Sequence, residues 1–125
     1  MKDNLVKDKS YAFALATIKL YQSLTNKKEF VLSKQLLRSA TSIGANIEEA
    51  TAGQSRADFL SKMSIASKED RESNYWLRLL RDSQIAATEE IQPLLIESES
   101  LIRILTAIVK STAETKNLKS KIQNP

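Results

Sequence analysis

The sequence contains neither cysteine nor histidine. That absence excludes a disulfide framework, a thiolate nucleophile, an imidazole base and the usual zinc and haem ligand sets. Glycine and proline are almost as scarce, two of each, which argues against an all-β fold and against a glycine-rich phosphate cradle. No apolar run approaches the ~18 residues needed to cross a bilayer. The stretch Tyr11 to Ile18 is not read as a signal-peptide core, because Asp3 and Asp8 precede it and its apolar positions continue in helical register through Tyr21 and Leu24. These absences lead to an expectation of a soluble, cytoplasmic, all-α domain with no catalytic residues, cofactor or metal.

What is present supports a core. The 125 residues are 42% hydrophobic, enough for one domain to fold without staples. The net charge is +4, and it is unevenly placed: residues 1–31 and 110–125 are basic, whereas 85–109 are acidic. Basic ends attract polyanions by counterion release, and they also simply keep a protein soluble.

Apolar spacings of three and four predict four helices, about 8–25, 33–51, 55–83 and 90–112. The first carries two apolar stripes, Tyr11, Ala14, Leu15, Ile18 and Tyr21 on one side and Phe13, Leu20 and Leu24 on another. One stripe can serve the core, which leaves the other for a partner. Ser33 is expected to cap the second helix and Gly53 to end it in a left-handed conformation, with Ser55 capping the third. The third helix repeats Phe59, Met63, Ala66, Asp70, Ser73, Leu77 and Leu80 at four-three spacing, the seam of a left-handed bundle. Asp70 and Ser73 imply either a polar patch facing that seam or a helix rolled to bury Tyr75 and Trp76. Short connections make neighbouring helices antiparallel, so the architecture over residues 1–113 is an up-down-up-down four-helix bundle. Residues 114–125 read as a basic, frayed or disordered tail.

Candidate functional residues fall on two stripes. Gln35, Arg38, Ser42, Asn46 and Glu49 flank the apolar face of the second helix. Such a flank is either solvated or, with Glu72, a buried hydrogen-bonded network; the network is the expectation, and in it removal of one charged partner costs ~3–5 kcal/mol. Arg71, Asn74, Arg78 and Arg81 form a ridge about 15 Å long on the third helix. Its two readings are surface charge paired locally, as Arg78 with Asp82, and contact with nucleic acid. Tyr75 and Trp76 lie beside the ridge, where they can stack on bases or fill an interface. Lys116, Lys119 and Lys121 add a basic fringe. Glu69 and Glu72 have the spacing of a carboxylate metal site but no histidine to complete it.

The run Gln35-Leu36-Leu37-Arg38-Ser39-Ala40-Thr41-Ser42-Ile43-Gly44-Ala45-Asn46-Ile47-Glu48-Glu49-Ala50 resembles the signature of the bacterial four-helix-bundle proteins encoded in 23S rRNA intervening sequences. Ser55, Asp58, Phe59, Ile65, Ala66 and Glu72 continue the resemblance, which extends from about Tyr11 to Val109. The chain departs from the pattern at Ala50, where glycine is common, at Asp58 for glutamate, and at Lys68-Glu69 for a glycine-serine pair. The resemblance implies a homopentameric ring with a central channel and no established enzymatic activity. It also implies kinship with the accessory variability proteins of diversity-generating retroelements, which bind nucleic acid and a reverse transcriptase. Two functions compete: an oligomeric scaffold that binds RNA or DNA, and a protein-binding adaptor whose basic ends only solubilise it.

Overall fold

The computed structural model describes residues 2–53 and 55–123. Four helices follow one another: α1 (Lys2–Asn26), α2 (Leu32–Thr51), α3 (Arg56–Asp82) and α4 (Thr88–Gln123), with no strand among the described residues. Each helix packs on its neighbours in sequence, α1 closes the bundle against α4, and among the described residues the backbones of the diagonal pairs stand farther apart. Cross-helix partners run in opposite order. Arg38 meets Glu72 while Glu49 meets Lys62, and Asn74 meets Ser98 while Arg71 meets Thr106. Neighbouring helices are therefore antiparallel, as short connections demand.

The core takes its residues from the expected periodicities. On α2, Leu36, Ala40, Ile43, Ile47 and Ala50 are buried; on α3, Met63, Ala66, Leu77 and Leu80. On α1 the buried stripe is Phe13, Leu20 and Leu24, extended to Val6, while Tyr11, Leu15 and Ile18 face outward. The helix opens at Lys2 rather than near residue 8, because Val6 sits about two helical turns before Phe13 and gains burial by continuing the stripe.

The helix ends differ from expectation in three places. Val31 occupies the N-cap position of α2 and makes no side-chain capping bond. Glu29 caps instead, its carboxylate accepting from the backbone N–H groups of Val31, Leu32 and Ser33 at 3.2, 2.8 and 2.8 Å. Burial opposes the charge on Glu29, but these donors outweigh it and hold its carboxyl below the usual range. Ser33 turns back to donate to the Glu29 carbonyl at 2.8 Å.

Gly53 is not left-handed. Space explains it better, since a Cβ there would lie 2.5 Å from Asp58 Oδ2 and 3.0 Å from the Ala50 carbonyl oxygen. Among the described residues the left-handed positions are Lys28 and Gln84, at φ 67° and 63°. Lys28 completes a Schellman motif, with its own N–H on Thr25 and that of Glu29 on Leu24, both at 2.9 Å. Ser55 does cap α3, accepting from the Asp58 N–H at 3.0 Å.

Finally, α4 continues as helix through residues 113–123, where the sequence suggests a tail. Polarity does not end a helix: between Pro93 and Pro125 there is neither proline nor glycine, and alanine, lysine, glutamate and leucine all favour the helical state.

Candidate functional site

Three polar arrangements share α3. The first faces α2. Arg38 Nη1 lies 3.2 Å from Glu69 Oε2, Arg38 Nη2 binds Glu72 Oε2, and the Trp76 indole N–H donates to the same Glu72 oxygen at 2.9 Å. The indole bond, helped by Arg38 and opposed by modest burial, holds the Glu72 carboxyl below its ordinary range. Glu72 is thus a fixed anion and an acceptor, unsuited to donating a proton.

The expected six-residue network does not form as one unit. Asn46 bonds within its own helix, to the Ser42 carbonyl at 2.9 Å and hydroxyl at 3.0 Å. Glu49 pairs with Lys62 at 3.4 Å, and Gln35 is exposed. Spacing places these residues on one flank of α2, but Arg38 and Glu49 reach separate stretches of α3, and Ser42 and Asn46 between them bond only within α2. Even the part that forms is half in water: the Arg38 side chain is 52% exposed. Its contribution is that of an exposed pair, ~0.2–1 kcal/mol, instead of the larger cost expected for a buried one.

The second arrangement fills the polar gap in the α3 seam. Ser73 and Ser39 share a hydrogen bond of 2.8 Å, and both are buried. Asp70 is fully buried and accepts from Ser98 Oγ on α4 at 2.9 Å, while Asn74 donates to the same serine at 3.3 Å. Asp70 Oδ2 has no partner. Burial pushes the Asp70 carboxyl up to about 7, against the Ser98 bond and the Arg71 charge, which lower it. The seam therefore meets a polar patch and does not roll; Tyr75 stays 47% exposed. The Asp70 side chain itself is not exposed to solvent.

The third arrangement is the ridge. Arg71 donates to Thr106 Oγ1 at 2.9 Å and Arg78 to Asn74 Oδ1 at 2.9 Å. Both are exposed, and among the described residues neither is within ion-pair distance of a carboxylate. Asp82 pairs with Arg81 at 2.8 Å, not with Arg78. Arg81 is thereby neutralised, and it is less exposed than the other two. Tyr75 stands between Arg71 and Arg78, its ring 5.7 Å from the Arg78 guanidinium carbon and edge-on to Trp76 at 5.2 Å. Lys116, Lys119 and Lys121 belong to the last turns of α4, and their side chains lie outside the described residues.

Two apolar surfaces complete the inventory. Tyr11, Leu15 and Ile18 form an exposed face on α1, and Phe30 and Val31 are exposed in the connection that follows it. A groove of about 520 Å³ runs between Leu5, Phe59, Ile104 and Ile108, with Arg103 at its wall. Among the described residues, no cluster of acidic side chains could hold a metal ion, and no helix is long and apolar enough to cross a membrane.

The family profile described as 23S rRNA-intervening sequence protein matches residues 2–107. The chain belongs to that family. A crystal structure of a protein of unknown function from the S23 ribosomal protein family of Bacteroides thetaiotaomicron is similar to it, with 50% identity over 88% of this chain and 99% of the other, and a TM-score of 0.85. None of the curated proteins compared matches the chain. Membership accounts for the α2 signature, most of whose apolar positions are core and whose Arg38 reaches α3. What sequence reasoning missed is pairings: Glu69 with Arg38, Ser98 with Asp70, Thr106 with Arg71. Glu69 shares a face with Glu72 at three-residue spacing and is visible as such. Ser98 and Thr106 carry no signal, since pairing across helices depends on register.

Proposed function

We propose that this family member is a non-catalytic, self-associating scaffold in the cytoplasm that binds nucleic acid through α3. The observation that carries the reading is the pair Arg71 and Arg78: exposed, seven residues apart on one helical face, and hydrogen-bonded only to neutral oxygens. Local ion pairing, the ordinary fate of surface arginine, accounts for Arg81 but not for these two. An unneutralised guanidinium fork suits phosphate oxygens, and such contacts position a nucleic acid without reading its sequence.

Self-association supports the same reading. The exposed Tyr11, Leu15 and Ile18 face is apolar surface that the bundle leaves uncovered. A second copy of the chain is its proposed cover, and resemblance to the family makes a homopentameric ring the proposed assembly. Repetition multiplies a subunit charge of +4 and lets weak phosphate contacts act by avidity on one polyanion.

The test is titration of labelled RNA and DNA with the assembled protein and with Arg78→Glu, alongside light scattering. The expected result is an oligomer that binds both at low salt, with affinity lowered strongly by the charge reversal. An oligomer that ignores both nucleic acids establishes the adaptor reading instead, and a monomer near 14.0 kDa contradicts the scaffold.

A further inference from the structure

The basic residues of α3 are interrupted by an aromatic ring in a way that simple phosphate binding does not require. Arg71, Tyr75 and Arg78 stand at i, i+4 and i+7 on one exposed stripe. At 1.5 Å per residue the two arginines are about 10 Å apart along the axis, with Tyr75 near the middle. Nucleotides stacked at ~3.4 Å would place about three steps in that interval, so the arginines fall near phosphates about one to two nucleotides to either side of a seated base.

The platform is held in place. Trp76 is tied through its indole N–H to Glu72, which Arg38 also grips. That fixed indole and the Tyr75 ring pack in a T-shaped arrangement with centroids 5.2 Å apart. Arg78, bonded to Asn74, projects its guanidinium over the Tyr75 ring. Two flat groups able to stack on a base are thereby presented together, while nearly half of the tyrosine surface stays open.

We propose that this stripe is a stacking site for an unpaired nucleobase, so that the protein prefers single-stranded nucleic acid over duplex. A base inside a duplex has both faces covered by its neighbours; only an unpaired one can give a face to Tyr75. Stacking on an aromatic ring tolerates any base, which makes the site indifferent to sequence. The inference rests on the nucleic-acid reading of α3 and adds to it the strandedness of the ligand.

The test uses the full-length protein and two probes of equal length, oligothymidylate and a mixed-sequence duplex, with Tyr75→Leu and Tyr75→Phe as variants. The expected result is tighter binding of oligothymidylate by the wild type. Tyr75→Leu should then lose roughly five- to a hundredfold on the single strand and nothing on the duplex, with Tyr75→Phe close to wild type. Trp76 is the one tryptophan of the chain, so its emission should change when oligothymidylate binds the wild type. Equal binding of both probes with no effect of Tyr75→Leu overturns the stacking site while leaving phosphate binding intact. A Tyr75→Leu protein that loses its assembly overturns it too, by placing Tyr75 in a subunit contact. Full competition by polyglutamate would reduce the stripe to charge alone. Failure of both probes to bind refutes the nucleic-acid reading itself.

Discussion

Consecutive residues of α3 enter two polar clusters that face different helices. Glu69 and Glu72 meet Arg38 of α2 at the surface; Asp70 meets Ser98 of α4 in the interior. The surface cluster has charges of both signs and an indole donor, yet water competes for every member. The buried cluster has one carboxyl, one firm donor and an unpartnered oxygen. The number of visible bonds therefore ranks the clusters in one order and their energetic stakes in the other. Burial decides, because an unpaired polar atom costs far more where water cannot reach it.

The largest expected effect is on the pH dependence of stability. Folded Asp70 holds its proton up to about pH 7, whereas an unfolded aspartate releases it near 3.8. Between those values the folded chain binds more protons than the unfolded one, so stability falls as pH rises from about 4 to about 7 and levels off above. The full loss is on the order of 4 kcal/mol by linkage. Denaturant melts across that range should show the slope in the wild type and lack it in Asp70→Asn. A flat wild-type profile would erase the distinction between the clusters.

Ser98→Ala comes next. It removes the donor to Asp70 Oδ1 and is expected to cost about 1–3 kcal/mol at pH above 7, where the charged carboxylate depends most on that donor. Below pH 5 the penalty should shrink, because a protonated carboxyl asks less of its surroundings.

Arg38→Ala should do least, less than ~1 kcal/mol, and less still in high salt. A penalty as large as that of Ser98→Ala would mean that the Arg38 cluster is shielded from water after all. The comparison is sharpened by measuring both variants at one pH.

Much of this is legible in the sequence. The four helices and their core stripes follow from spacings of three and four, and Asp70 and Ser73 stand out as polar interruptions of the α3 seam. The capping role of Ser55 is readable because its partner, Asp58, lies within reach of local chain geometry. What escapes reading depends on distant partners or on ambiguous local signals. Glu29 takes the cap from Ser33 because a longer side chain reaches three N–H groups at once. Asp82 pairs with Arg81 over Arg78, a matter of rotamers that spacing does not settle. The flank from Gln35 to Glu49 does lie on one side of α2, yet Arg38 and Glu49 cross to separate stretches of α3, Arg38 to Glu69 and Glu72 and Glu49 to Lys62. The end of α4 is hidden by its polarity, which imitates a disordered tail although no helix-breaking residue lies there.

The most direct test of the α3 surface is the salt dependence of nucleic-acid binding by the wild type and by Arg71→Gln/Arg78→Gln. Binding through phosphates predicts a linear fall of log affinity with log salt, shallower in the double variant by ~0.7–0.9 for each phosphate that is no longer neutralised. A wild-type slope near zero, or an equal slope in the double variant, would contradict the account.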